Sequence, residues 1–335
     1  RAKVSTATVS RILSGKGSHR PGTVERVRRI AEKMEAESRA REFGISECIG
    51  VLMLTYRDCL NSSYNSTLIT SIVEGLAAEN CTVQLMALPV KRMNLDHIRS
   101  LVIEHGIRAL IVPEFNGPYS VSNELDRLGI PIVTIGNIEL DGDKSEIVCT
   151  DNATAGSDAA NYLWSCGHRR FGVICMDRRN LCHRQRVESF RQTVARLGGD
   201  PDEIYLREYY HIAESLAPVV TELRNLGDRR PTALLSTNSL LTLKLLNGLH
   251  DAGLRVPDDL SLLSFEEDRE LAETIPPVTV LAQPTRSMGE LAVRRVMKAI
   301  RGFESQNEEI LRCSLVVRRS VQSNGFRIHQ GSLQS

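Results

Sequence analysis

No stretch of this 335-residue chain approaches the ~20 apolar residues of a membrane-crossing helix, so no membrane partner is expected. No secretory segment is visible either. The eight cysteines (Cys48, Cys59, Cys81, Cys149, Cys166, Cys175, Cys182 and Cys313) include no C-x-x-C pair and no zinc-ligand spacing. Several sit in strand-like apolar runs, where cysteine behaves as a small hydrophobe, and the distribution suits a reducing cytoplasm. The adjacent Cys182 and His183 stay open as a minor metal or redox alternative. H-E-x-x-H, G-x-S-x-G and G-x-G-x-x-G are absent, and Ser14–Ser18 is no phosphate loop, since no strand leads into it. The expectation is therefore a non-enzyme with no cofactor and no metal.

Net charge is scarce too, 42 basic against 41 acidic residues, but its distribution is uneven. Residues 1–43 hold eleven basic and five acidic side chains, leaving 31 basic and 36 acidic for the rest. A basic head on an acidic body is the charge footprint of a nucleic-acid-binding module joined to a part with another partner.

Within the head, Val4-Ser5-Thr6-Ala7-Thr8-Val9-Ser10-Arg11-Ile12-Leu13-Ser14-Gly15 has helical periodicity. Val9, Ile12 and Leu13 share one face; Thr6, Ala7, Ser10 and Arg11 share the other. Small, hydroxylic and basic side chains let a helix approach base edges without repelling phosphates. Ser5 or Thr6 is expected as N-cap and Gly15 as C-cap, giving about nine or ten residues. An ordinary amphipathic surface helix is the alternative.

This stretch, followed by Thr23-Val24-Glu25-Arg26-Val27, resembles the signature of the LacI/GalR (lactose-repressor/galactose-repressor) family of bacterial transcription regulators, V-S-x-x-T-V-S-R and then T-R-x-x-V. The resemblance implies that Thr6, Ala7 and Arg11 read bases, while Ser5, Thr8, Ser10, Ser18 and Thr23 contact phosphates or backbone. The family has a further helix before the recognition helix, and this sequence reads as lacking it. Where the family has L-G-Y-x-P-N, this chain has Met34-Glu35-Ala36-Glu37-Ser38. Ala40-Arg41-Glu42-Phe43 then takes the place of the hinge helix. Phe43 is read either as a minor-groove wedge or as a plug against the next domain.

From Cys48 onward, β-branched strand-length runs alternate with helical periods in two series, implying two doubly wound α/β lobes whose parallel sheets are covered on both faces. Ligands of such sheets bind beyond the carboxyl ends of the strands. The body resembles the same family, which shares a periplasmic-binding-protein architecture. The matches include Asp151-Asn152-x-x-x-Gly156, Gly167-His168-Arg169-Arg170, Arg184-Gln185-Arg186 and Gly253-Leu254-Arg255-Val256-Pro257-Asp258-Asp259. The expected division is a head over 1–37, a hinge over 38–47, and a first lobe over 48–149 and 281–311. A second lobe takes 150–280 and 312–322, and a disordered tail 323–335.

A cleft for a polyol needs planar donors and acceptors able to take two hydroxyls at once. Family matches place Arg186, Asn238 and Glu266 there. Their alternatives are a surface helix cation for Arg186, a helix cap for Asn238 and a surface ion pair for Glu266. Glu266 stands where the family usually has Asp, which shrinks the pocket, and Ser239 removes a charge. His168 reads as structural. The resulting expectation is a cytoplasmic homodimeric repressor on a pseudo-palindromic double-stranded DNA operator, controlled by a sugar-like effector between its lobes. A stand-alone small-molecule binding protein and a sugar-active enzyme are the competing readings.

Overall fold

The computed structural model describes residues 4–17, 20–42, 47–55, 63–89, 94–113, 125–136, 145–210, 214–303 and 311–323. The head is two helices, α1 (Thr6–Leu13) and α2 (Pro21–Glu42). Ser5 caps α1, its side chain accepting from Thr8 N at 3.2 Å. The helix is one or two residues shorter than its pattern suggested, with Ser14 as C-cap and Gly15 following at φ +70°. That left-handed conformation suits glycine, which has no Cβ to clash. Ile12 and Val27 are the buried apolar residues where α1 packs on α2.

Helix α2 continues without interruption into the segment expected as the hinge, ending at Glu42. Residues 23–42 contain neither glycine nor proline, so nothing local stops the helix at residue 37.

The first sheet has the order β2-β1-β3-β4-β5, all parallel. Its strands are β1 (Cys48–Thr55), β2 (Thr82–Pro89), β3 (Ala109–Pro113), β4 (Ile132–Ile135) and β5 (Ser145–Val148). Helix α3 (Ser63–Ala78) covers one face and α4 (Leu95–Glu104) the other. The second sheet has the order β11-β10-β9-β8-β6-β7, parallel except at β11. Its strands are β6 (Phe171–Met176), β7 (Tyr205–Tyr209), β8 (Ala233–Ser236), β9 (Ser261–Phe265), β10 (Thr279–Ala282) and β11 (Ser314–Val316). Helices α5 (Asn152–Ser165) and α6 (Leu181–Arg196) cover one face, α7 (Ala217–Asn225) and α8 (Ser239–Asp251) the other. All five residues of β3 and all five of β9 are buried, the unbroken burial of a strand covered on both sides.

Helix α7 carries Pro218 in its first turn. Proline lacks the N–H that an interior helical position needs. Short α9 (Arg269–Glu273) follows β9, and α10 (Thr285–Ile300) returns to pack against α3 in the first lobe. Leu281 and Ala282, expected in the first lobe, belong to β10 and pair with Phe265, Leu315 and Ser314 in the second sheet. The chain therefore crosses after residue 282. The crossings are tied together where Thr150 bridges Leu311 and its Oγ1 donates to Gln283 Oε1 at 3.2 Å. Ser63 Oγ of the first lobe also donates to Glu270 Oε2 of the second at 3.0 Å.

Candidate functional site

Two places in the fold carry chemistry beyond packing. On α1, Thr6, Ala7, Ser10 and Arg11 are all exposed and share the face opposite buried Ile12. Among the described residues no acid pairs with Arg11, so its guanidinium is uncommitted. Ser5 and Thr8 are partly engaged already, their hydroxyls 2.8 Å apart at the cap. Thr23 is half-buried in the first turn of α2. Ser18 and Phe43 lie outside the described residues.

The second place is at the carboxyl ends of the strands of the second sheet, where Arg186 is the hub. It is only 2% exposed, so it is no surface helix cation. Its Nε donates to Asn152 Oδ1 at 2.7 Å and its Nη1 to the Thr237 carbonyl at 3.1 Å. Its Cζ lies 4.5 Å from the centre of the Phe265 ring, a cation–π contact. Glu266 Oε1 stands 3.7 Å from Nη1.

Glu266 is likewise buried, 7% exposed, and its φ of +72° is rare for a residue with a Cβ. Its other oxygen accepts from Asn238 Nδ2 at 3.1 Å and from both Ser239 N and Ser239 Oγ at 3.2 Å. Burial pushes the Glu266 carboxyl above the usual range, against the pull of the Arg186 guanidinium and the Ser239 amide. Asn238 serves twice, since its Oδ1 also caps α8 by accepting from Leu241 N at 3.1 Å. The structure thus brings Arg186, Asn238 and Glu266 into one hydrogen-bonded cluster, and Glu266 is a buried partner rather than a surface ion pair.

Asn152 joins that cluster although the sequence reading gave it no role. It opens α5, and its Nδ2 donates to the Thr150 carbonyl at 3.1 Å, connecting Arg186 to the lobe crossing. One turn later, a Cβ on Gly156 would collide with Ser189 Oγ and the Arg186 carbonyl, so glycine lets α5 lie close enough for Asn152 to reach Arg186. The D-N-x-x-x-G spacing held that signal: a polar side chain one turn ahead of a residue with no side chain.

His183 sits three residues before Arg186 on α6. Its Nδ1 is buried without a partner among the described residues, and burial drives its pKa down to about 3, keeping the ring neutral. His168 is structural as expected, its two ring nitrogens 3.0 Å from Thr232 Oγ1 and the Gln322 carbonyl. Among the described residues no group of three or more His, Cys, Asp or Glu side chains is arranged to hold a metal ion. Nor is any of their helices long and apolar enough to cross a membrane.

Residues 160–321 match the family model for a periplasmic binding protein-like domain. The HTH-type transcriptional repressor CytR of Escherichia coli (strain K12) is 26% identical over 327 residues, covering 96% of this chain and 94% of that protein. Among solved structures, a complex of the transcriptional regulator CelR with cellobiose superposes with a TM-score of 0.70 at 21% identity, covering 95% of this chain and 97% of that one. The lac repressor dimer bound to operator and the anti-inducer ONPF gives 0.69 at 18% identity, covering 96% of each chain.

Proposed function

We infer that this chain, a LacI/GalR-family transcription regulator that binds DNA in response to a ligand, acts as a dimeric repressor on a pseudo-palindromic operator. The observation that carries the reading is the α1 face of Thr6, Ala7, Ser10 and Arg11, exposed and uncommitted at the front of a basic head. Thr6, Ala7 and Arg11 read base edges in the major groove. Ser5, Thr8, Ser10, Ser18 and Thr23 set the register on the phosphates, and Phe43 contacts the minor groove. Two-fold protein symmetry puts two such helices on half-sites about one helical turn apart.

The regulating ligand binds between the lobes against Arg186, Asn238 and Glu266. These side chains are held by one another, so a ligand that displaces any of their contacts also loads Asn152 and, through Thr150, the strand crossing to the first lobe. A ligand with different affinities for two lobe arrangements shifts their populations and, with them, the spacing of the DNA heads. The cellobiose and operator named for CelR and the lac repressor support this assignment of partner classes.

Selection of duplexes from a randomised DNA pool by the full chain tests the reading. Enrichment of a single inverted repeat is expected. Retention of DNA without sequence enrichment would return α1 to the status of an amphipathic surface helix.

A further inference from the structure

The strands β6, β8 and β9 are neighbours in the second sheet, so the segments following them emerge side by side at one edge. Most charges there are matched within the protein. Asp177 pairs with Arg179, Arg178 with Glu208, and Glu267 takes both of its bonds, at 2.8 and 2.7 Å, from Arg318. Arg269 is held by Glu273 and Arg186 by the cluster described above.

Asp268 is the exception. It is 3% exposed, and among the described residues its Oδ1 has no hydrogen-bond partner and its carboxylate no ion pair. It stands two residues past Glu266, close enough for the two carboxylates to repel. It also lies two residues before Glu270, which accepts from Ser63 of the first lobe, so Asp268 sits where the lobes meet. His183, close enough to Arg186 to feel its charge, likewise holds a buried Nδ1 without a partner among the described residues. A buried acceptor left unmatched is costly, and proteins seldom keep two beside one cluster without a use for them.

We propose that the ligand of the interlobe cleft carries an amino group, donated to Asp268 Oδ1, and a hydroxyl that meets His183 Nδ1, as in an amino sugar or aminocyclitol. The proposal rests on the reading of the cleft as the ligand site. The carboxylates of Glu266 and Asp268 are close enough to repel, and the cation beside Glu266, Arg186, is already shared among three partners. A phosphorylated or acidic sugar would bring a third anion to that edge. A neutral polyol would satisfy the hydrogen bonds and leave one buried charge uncompensated. A protonated amine does both, through a charge-assisted bond. A neutral imidazole can donate or accept at Nδ1 according to its tautomer, which suits a hydroxyl.

The test uses the full chain and a fixed set of probes. These are glucosamine, galactosamine and streptamine, against glucose, galactose, myo-inositol, phosphorylated glucose and glucuronate. Melting temperature and calorimetric affinity are read near neutral pH for the parent protein and for Asp268→Asn. At least one amine is expected to raise the melting temperature and to bind about tenfold or more tightly than its hydroxyl counterpart. In Asp268→Asn that preference should fall to about threefold or less while hydroxyl contacts persist. His183→Phe, which keeps a flat ring without the nitrogen, should weaken the amine and its counterpart alike. Binding by neutral or anionic sugars alone overturns the amine proposal and leaves the cleft reading standing. So does an amine preference that survives in Asp268→Asn. Binding by none of the probes overturns both.

Discussion

The head and the second lobe hold their polar side chains in opposite ways. On α1, Thr6, Ser10 and Arg11 project outward, and Arg11 makes no ion pair among the described residues. Around Arg186 the side chains of Asn152, Asn238, Ser239 and Glu266 bond to it or to one another and are largely withdrawn from solvent, while Asp268 Oδ1 and His183 Nδ1 are buried without partners among the described residues. The exposed face can be changed with little consequence for folding because water replaces whatever it loses. Changes in the buried cluster strand a charge in a place water reaches poorly. Recognition and stability should therefore separate cleanly between the two regions.

The strongest test of that separation is Arg186→Ala. It leaves Glu266 buried beside Ser239 without its cation, and removing one partner of a buried ion pair typically costs about 3–5 kcal/mol. Urea unfolding should show that loss. Arg11→Ala, in the same assay, should stay within about 0.5 kcal/mol of the parent, as exposed substitutions generally do. Comparable losses for both would break the comparison.

Gly156→Ala comes next. The added methyl has nowhere to go between α5 and α6, and overpacking of this kind costs about 1–3 kcal/mol. Because it prises Asn152 from Arg186, it should also blunt ligand control of DNA binding, read as the change in operator affinity on adding a ligand that stabilises the parent protein. Ser5→Ala has a smaller, local effect. Losing the cap of α1 costs about 1 kcal/mol, visible as faster amide exchange in the head with the lobes unchanged.

Much of this division was legible beforehand. The α1 face followed from period and residue size, and the two sheets from β-branched runs alternating with helical ones. Arg186, Asn238 and Glu266 were placed near one another by family match. Their mutual bonding was not legible, because it depends on which of several rotamers each long side chain adopts. Asn152, Asp268 and His183 were missed as participants for a related reason. Nothing in a linear sequence distinguishes a buried carboxylate without a partner from one at the surface with many. The continuation of α2 to Glu42 was readable from the lack of glycine and proline.

The smallest effects near neutral pH are titrations, and the two buried groups give opposite signs. Burial raises the Glu266 carboxyl, so the folded chain holds that proton more tightly than the unfolded one. Its contribution to stability is greatest below the ordinary Glu range and falls as pH rises through the raised value. In Glu266→Gln that decline should flatten. His183 is shifted from 6.5 down to about 3, so its contribution is full above the ordinary value and is lost as pH falls through that interval. In His183→Asn the acid loss should shrink. Denaturant midpoints from acid to neutral pH separate the two, and slopes of the same sign would mean that one of these groups is solvated.

The measurement closest to the central claim compares Arg11→Ala with the parent chain on the selected inverted repeat and on random duplex, across a salt series. If Arg11 reads a base, the variant loses about 1–3 kcal/mol on the repeat and little on random DNA, and the salt slopes stay parallel. Equal weakening on both DNAs, with a slope shallower by about one, would make Arg11 a phosphate contact and remove base reading from the α1 face.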